Sequence, residues 1–183
     1  IKRNQLLVLH VLAEEEAALL LFSSPEGRQR RAAMIDARDH ELKPRGQLVY
    51  HFELVGLLGL AALGDNAAAE MQVRELLPLD DLIEHLLSEV GLPDVLTANF
   101  LLLLREAYLL TERVCKDVAV CERLPSLVEK LAGEVSDFVS DVLPTAAFTE
   151  EEEVDLARHV VGAVLPTLTA LYARHISAQT LGM

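Results

Sequence analysis

Four groups of side chains could do chemistry by type and spacing: a cysteine pair, scattered histidines, a run of glutamates and a basic cluster. Cys115 and Cys121 are too few for a disulfide scaffold. With no His pair beside them they do not complete a four-ligand zinc site. They read as half-buried thiols that suit a reducing compartment. His10, His40, His51, His85, His159 and His175 are dispersed, and none forms the His-x-x-x-His spacing of a helical zinc site. His51 lies in an apolar segment near Glu53 and reads as a core or groove-edge histidine. Glu150 to Glu153 stand at a helix start, where their carboxylates diverge around the turn. Calcium wants six or more oxygens converging from a loop, so capping is the reading preferred there. Arg28-Gln29-Arg30-Arg31 reads as a solvated surface cluster, with a phosphorylation-sensitive or docking segment near Ser23 and Ser24 as the rival. There is no Gly-rich phosphate loop and no nucleophile elbow. The expectation is therefore no catalytic residue, no cofactor, no metal and no enzyme.

Charge narrows the partners. The chain of 183 residues carries a formal net charge of −13. Residues 1–47 are nearly balanced, so almost all of the excess lies in residues 48–183. Such a field disfavours nucleic acid and anionic membrane surfaces, and it repels phosphorylated small molecules. No signal peptide and no membrane span are expected. The longest stretch without a formal charge, between Arg158 and Arg174, holds Pro166 and two threonines.

The elements that must position these groups are helical. Leucine occurs 37 times and alanine 22 times, aromatic residues make up only 4%, and Trp is absent. Leu and Ala lose little side-chain freedom in a helix, whereas a β-sandwich wants more aromatic and β-branched residues. Helices are expected near residues 4–22, 47–63, 67–77, 78–90, 93–112, 125–142 and 149–176. Residues 23–46 read as a mobile connection with at most one short helix. Residues 47–63 and 94–112 are apolar on most faces, as buried helices are. Leu79, Leu82, Ile83, Leu86, Leu87 and Val90 make an amphipathic stripe. Gly64 suits a left-handed C-terminal cap, Asn66 an N-cap, and Thr149 with Glu152 a capping box. Pro166 is expected to kink the last helix.

Five of the seven prolines follow a leucine. At Leu77-Pro78, Leu92-Pro93 and Leu124-Pro125 the proline excludes the preceding residue from the α region and fits the first turn of the next helix. Tight corners between buried helices describe stacked hairpins. The expected fold is all-α, an α-solenoid of armadillo or HEAT type, with no strict repeat. Residues 1–46 read as an N-terminal helix plus mobile basic linker, and residues 47–183 as the helical unit.

One stretch goes beyond composition. Gly64, Asn66 and Glu70, followed by Leu76-Leu77-Pro78-Leu79 and two aspartates, resembles the cytosolic helical homology domain of the inositol-trisphosphate and ryanodine receptor family. The likeness runs through Pro93-Asp94-Val95, Asn99-Phe100-Leu101 and Thr111-Glu112. Where the family usually has a Lys and a Cys, this chain has Gln72 and Val73. The resemblance implies a segment of a large homotetrameric channel that releases calcium from an intracellular store such as the endoplasmic reticulum. Its partners would be other domains and subunits of that channel. The segment would carry conformational change between the ligand site and the pore, without touching membrane or nucleic acid and without binding inositol phosphate itself. The alternative is an unrelated helical-repeat scaffold that binds a partner protein along an acidic groove. Gly64, Asn66, Glu70, Leu76, Leu77, Pro78 and Leu79 are expected to be structural, and Asn66→Ala to cost about 0.5–2 kcal/mol as a lost cap.

Overall fold

The structure, a computed structural model, describes residues 2–14, 24–40, 46–64, 66–87, 94–111, 115–143 and 151–173. Every element among them is helical. In chain order they are α1 (Lys2–Glu14), α2 (Pro25–His40), α3 (Gly46–Ala61), α4 (Ala67–Leu76), α5 (Leu79–Leu87), α6 (Asp94–Leu104), α7 (Lys116–Val120), α8 (Leu124–Asp137), α9 (Glu151–His159) and α10 (Leu165–Leu171). The all-α expectation holds. The expected capping box at Thr149, the carboxylates of residues 150–153, Val90 and the corner at Leu92-Pro93 lie outside the described side chains.

The core is built on α6. Leu96, Phe100, Leu101, Leu103 and Leu104 are fully buried there. The broadest helix–helix contact joins α6 to α3, and α6 also packs against α5, α9 and α10. Close approach of α3 and α6 depends on Gly59, where a Cβ would lie 3.1 Å from Leu102 Cγ and 3.2 Å from the Leu103 backbone nitrogen. Asn99 Nδ2 donates to the Phe52 carbonyl across the same seam at 3.0 Å. On α3, Leu54, Val55 and Leu58 are buried, but Leu57 and Leu60 are exposed. An apolar helix is thus not buried all round here, because its neighbours cover only part of its circumference.

The N-terminal region departs most from expectation. Residues 25–40 form a 16-residue helix, longer than the short one expected within the connection. Ser24 and Pro25 start it: the Gly27 N–H donates to Ser24 Oγ at 3.0 Å, and Pro at the first helical position has no N–H to satisfy. The basic cluster is not a solvated loop either. Arg31 is buried, and Arg28 forms an ion pair with Glu84 on α5. The helix escapes pattern reading because a cation, Arg31, is buried on it, beside Met34 packed against the core. Helix α1 packs on α3 and α4, and Leu9 and Leu12 belong to the same core as the helices after residue 47.

Among the described residues π-helical turns occur at Arg105–Leu109, Phe138–Val142 and Val160–Val164. The last explains how the chain passes Pro166 without leaving the helix. The Leu165 N–H bonds five residues back to the Val160 carbonyl, and this rearranged turn absorbs the donor that proline lacks. The resulting run Val154–Leu171 is long and apolar enough to cross a membrane by length and composition, which corrects the expectation that no such stretch exists. The uncharged stretch begins only after Arg158, but a span tolerates the two charges before it. A core helix passes the same test. Here Val160, Ala163, Val164, Ala170 and Leu171 are buried, and the run packs on α6 and α8.

Candidate functional site

The residues singled out by spacing converge on one corner, between the end of α3 and the start of α5. Gly64 closes α3 with φ of +89°, a conformation that glycine adopts without a Cβ penalty. Asn66 stands at the N-cap of α4, and its carbonyl accepts the Glu70 N–H at 2.9 Å. Its side chain makes no capping bond, contrary to expectation. Instead Asn66 Nδ2 donates to Gln5 Oε1 on α1 at 2.9 Å, and Gln5 Nε2 donates to the Leu63 carbonyl. One glutamine therefore clamps both sides of the α3–α4 corner.

Asn66→Ala is still expected to destabilise the chain, by about 0.5–1.5 kcal/mol, the net worth of one hydrogen bond. Because the partner is Gln5, Gln5→Ala should cost a similar amount, and the double variant should cost less than the sum. Additive losses in denaturant midpoints would count against the clamp.

The second half of the corner is an interlock with the end of α6. Glu70 is buried, and its carboxylate lies 3.5 Å from the Arg74 guanidinium one turn on. That pairing aims Arg74 across to the π turn, where its Nε donates to the Ala107 carbonyl at 2.7 Å and its guanidinium carbon lies 5.5 Å from the Tyr108 ring centre. Tyr108 returns the contact: its hydroxyl donates to the Leu77 carbonyl at 2.7 Å. Leu77 is extended because Pro78 follows it, and that bend turns its carbonyl away from the helix ladder. Burial pushes the Tyr108 phenol above its ordinary range, Arg74 opposes this in part, and the hydroxyl stays a donor. Leu76, Leu77 and Leu79 fill the core beneath, and Pro78 stays exposed.

The corner thus assembles Gly64, Asn66, Glu70 and the Leu-Leu-Pro-Leu run as a joint between helices. Sequence reasoning missed Gln5, Arg74 and Tyr108. Arg74 could have been found from its i,i+4 spacing to Glu70. The other two are distant in the chain and carry no local signal.

Beside the joint lies an open cleft of about 610 Å³. Asp80, Glu84, Asp117 and Glu122 outnumber Arg74 and Arg123 on its walls, and Arg123 is paired with Glu84 at 2.9 Å. Among the described residues no three of His, Cys, Asp and Glu converge as a metal site. Cys115 is buried, Cys121 is half-buried, and both are thiols. His51 and His85 flank Phe100: the His85 ring stacks on it at 5.0 Å between centroids, and the His51 ring meets it edge-on at 6.3 Å.

The chain matches no protein-family model. It is 24% identical over 169 residues to the inositol 1,4,5-trisphosphate receptor itr-1 of Caenorhabditis elegans, an alignment that takes in 91% of this chain and 6% of that receptor. The chain therefore spans about 6% of the length of the curated relative it matches, and it is distantly similar to one short part of an inositol trisphosphate receptor.

Proposed function

We propose that this chain is a cytosolic α-solenoid segment of an intracellular ligand-gated calcium release channel, coupling ligand sensing to pore gating. The observation that carries this reading is the joint at Gly64–Leu79, whose residues resemble the receptor family's pattern and lock two helical corners together. The distant similarity over nearly the whole chain supports it. The parent channel would be a homotetramer in the endoplasmic reticulum membrane or a similar calcium store. This segment would sit on its cytosolic face, touching other domains and subunits.

A relay element needs rigid pieces whose contacts differ between states. Arg74 and Tyr108 supply such a contact, because each joins the α4–α5 corner to the end of α6 through one directional hydrogen bond. The segment itself is not proposed to hold inositol phosphate, which requires several Lys and Arg gathered in one pocket.

The test is Tyr108→Phe in the full-length parent. The substitution leaves the buried Leu77 carbonyl without its donor and should cost the segment about 1–3 kcal/mol. Ligand affinity of the assembled tetramer should stay unchanged while ligand-evoked calcium flux falls. Equal loss of both, or loss of neither, would overturn the relay. Calorimetry of the 183-residue chain with inositol trisphosphate should show no stoichiometric heat at physiological salt. Micromolar binding would make the segment a sensor instead.

A further inference from the structure

A second concavity lies between the start of α6, the α8 helix with its π turn, and α9. Its volume is about 440 Å³. Phe138, Val142, Leu156 and Val160 give it an apolar floor. Asp94, Glu134, Asp137 and Asp141 give it an acidic rim drawn from two helices and a π turn. Among the described residues Lys130 is the one lysine or arginine on its walls, and its Nζ is committed to the Leu86 carbonyl.

A second feature points to a ligand. His159 lines the groove with its side chain only 6% exposed, and its Nδ1 has no hydrogen-bond partner among the described residues. Its Nε2 faces Glu134 Oε2 at 3.5 Å, and that buried carboxylate oxygen accepts no hydrogen bond among the described residues. Buried polar atoms are as a rule satisfied, so the unmet Nδ1 of His159 on the groove wall asks for a hydrogen-bond partner from outside.

We infer that this groove is a docking site for a basic amphipathic helix of a partner chain or domain. The apolar stripe of such a helix, at i, i+3, i+4 and i+7, lies on Phe138, Val142, Leu156 and Val160. Its Lys and Arg residues meet Asp94, Asp137 and Asp141 at the rim, and one of them reaches Glu134. Charge selects the occupant: an acidic helix is repelled by four carboxylates, and an uncharged one leaves Glu134 without a cation. The inference does not depend on the channel reading. A scaffold of any kind could use the same groove.

The experiment uses the 183-residue chain and a labelled 18-residue peptide of leucine and lysine with that helical spacing, followed by fluorescence anisotropy. A scrambled peptide of the same composition and a leucine–glutamate peptide are the controls. Saturable one-to-one binding of the patterned basic peptide alone is expected. Asp137 and Asp141 are exposed, so Asp137→Lys with Asp141→Lys should leave the helical circular dichroism intact. It should weaken binding at least about tenfold, because like charges then face each other. The same charge change at exposed Glu53 and Glu75, which line none of the clefts described above, should leave affinity within about twofold once salt screens distant charges. Equal binding of the scrambled peptide, equal loss in the two double variants, or no saturation would each overturn the groove. So would self-association of the chain that Asp137→Lys and Asp141→Lys abolish, because a second copy and not a basic helix would then be the occupant.

Discussion

Replacing Phe100 by alanine should destabilise the chain by about 3–5 kcal/mol, the usual loss for a large aromatic side chain cut from a core. The site explains why the value belongs at the upper end of single-residue effects. Phe100 is fully buried on α6, the helix that packs against α3, α5, α9 and α10. Its ring also separates His51 from His85, stacked on one and edge-on to the other. Truncation leaves a void next to two buried imidazoles, so the space cannot close around apolar atoms alone. With domain stabilities of about 5–15 kcal/mol, the variant should populate unfolded chain at moderate denaturant. Phe100→Leu should lose much less, because it keeps most of the apolar volume. Denaturant midpoints of the two variants decide the matter. A loss below 1 kcal/mol for alanine would mean that α6 is not the centre of the core.

The helical class and most elements were readable because apolar periodicity and proline corners report burial directly. Leu79, Leu82, Ile83 and Leu86 are buried as their spacing requires, and Leu77 is extended as Pro78 requires. What escaped has a common cause. Local pattern cannot show a contact between residues that are far apart in the chain. Helix α2 buries Arg31, a residue whose type signals solvent. Tyr108 reaches Leu77 across 31 positions, and Asn66 reaches Gln5 across 61. Asn66 stands at the expected N-cap but bonds Gln5 instead of its own helix, since residue type at an N-cap predicts a donor or acceptor but not its partner. The exposed Leu57 and Leu60 mislead in the opposite sense: composition marks a helix as apolar without saying how much of it neighbours will cover.

Acidification below neutral pH is the second large effect expected. His85 is 1% exposed, and its imidazole is held down to about 3 from an ordinary 6.5, first by burial and then by the positive charge of Arg31 and the neighbouring His51 and Arg28. Between those two values the unfolded chain binds a proton that the folded chain refuses. Stability is therefore complete above about pH 6.5 and falls as pH drops, by about 1.4 kcal/mol per unit, until the folded form also protonates near pH 3. From pH 7 to pH 5 the loss should be roughly 2 kcal/mol. Glu84, whose pairing with Arg123 lowers its pKa, adds its own loss only below its ordinary range near 4.5, so the upper window separates His85 from that carboxylate. His85→Leu keeps the apolar stack on Phe100 and removes the titrating group, and it should flatten the denaturant midpoint between pH 6.5 and 5. Phe100→Ala should also reduce the slope, because the void admits water to His85 and returns its pKa toward the ordinary value. If His85→Leu keeps the full slope, the acid sensitivity belongs to other groups and the buried imidazole is not its source.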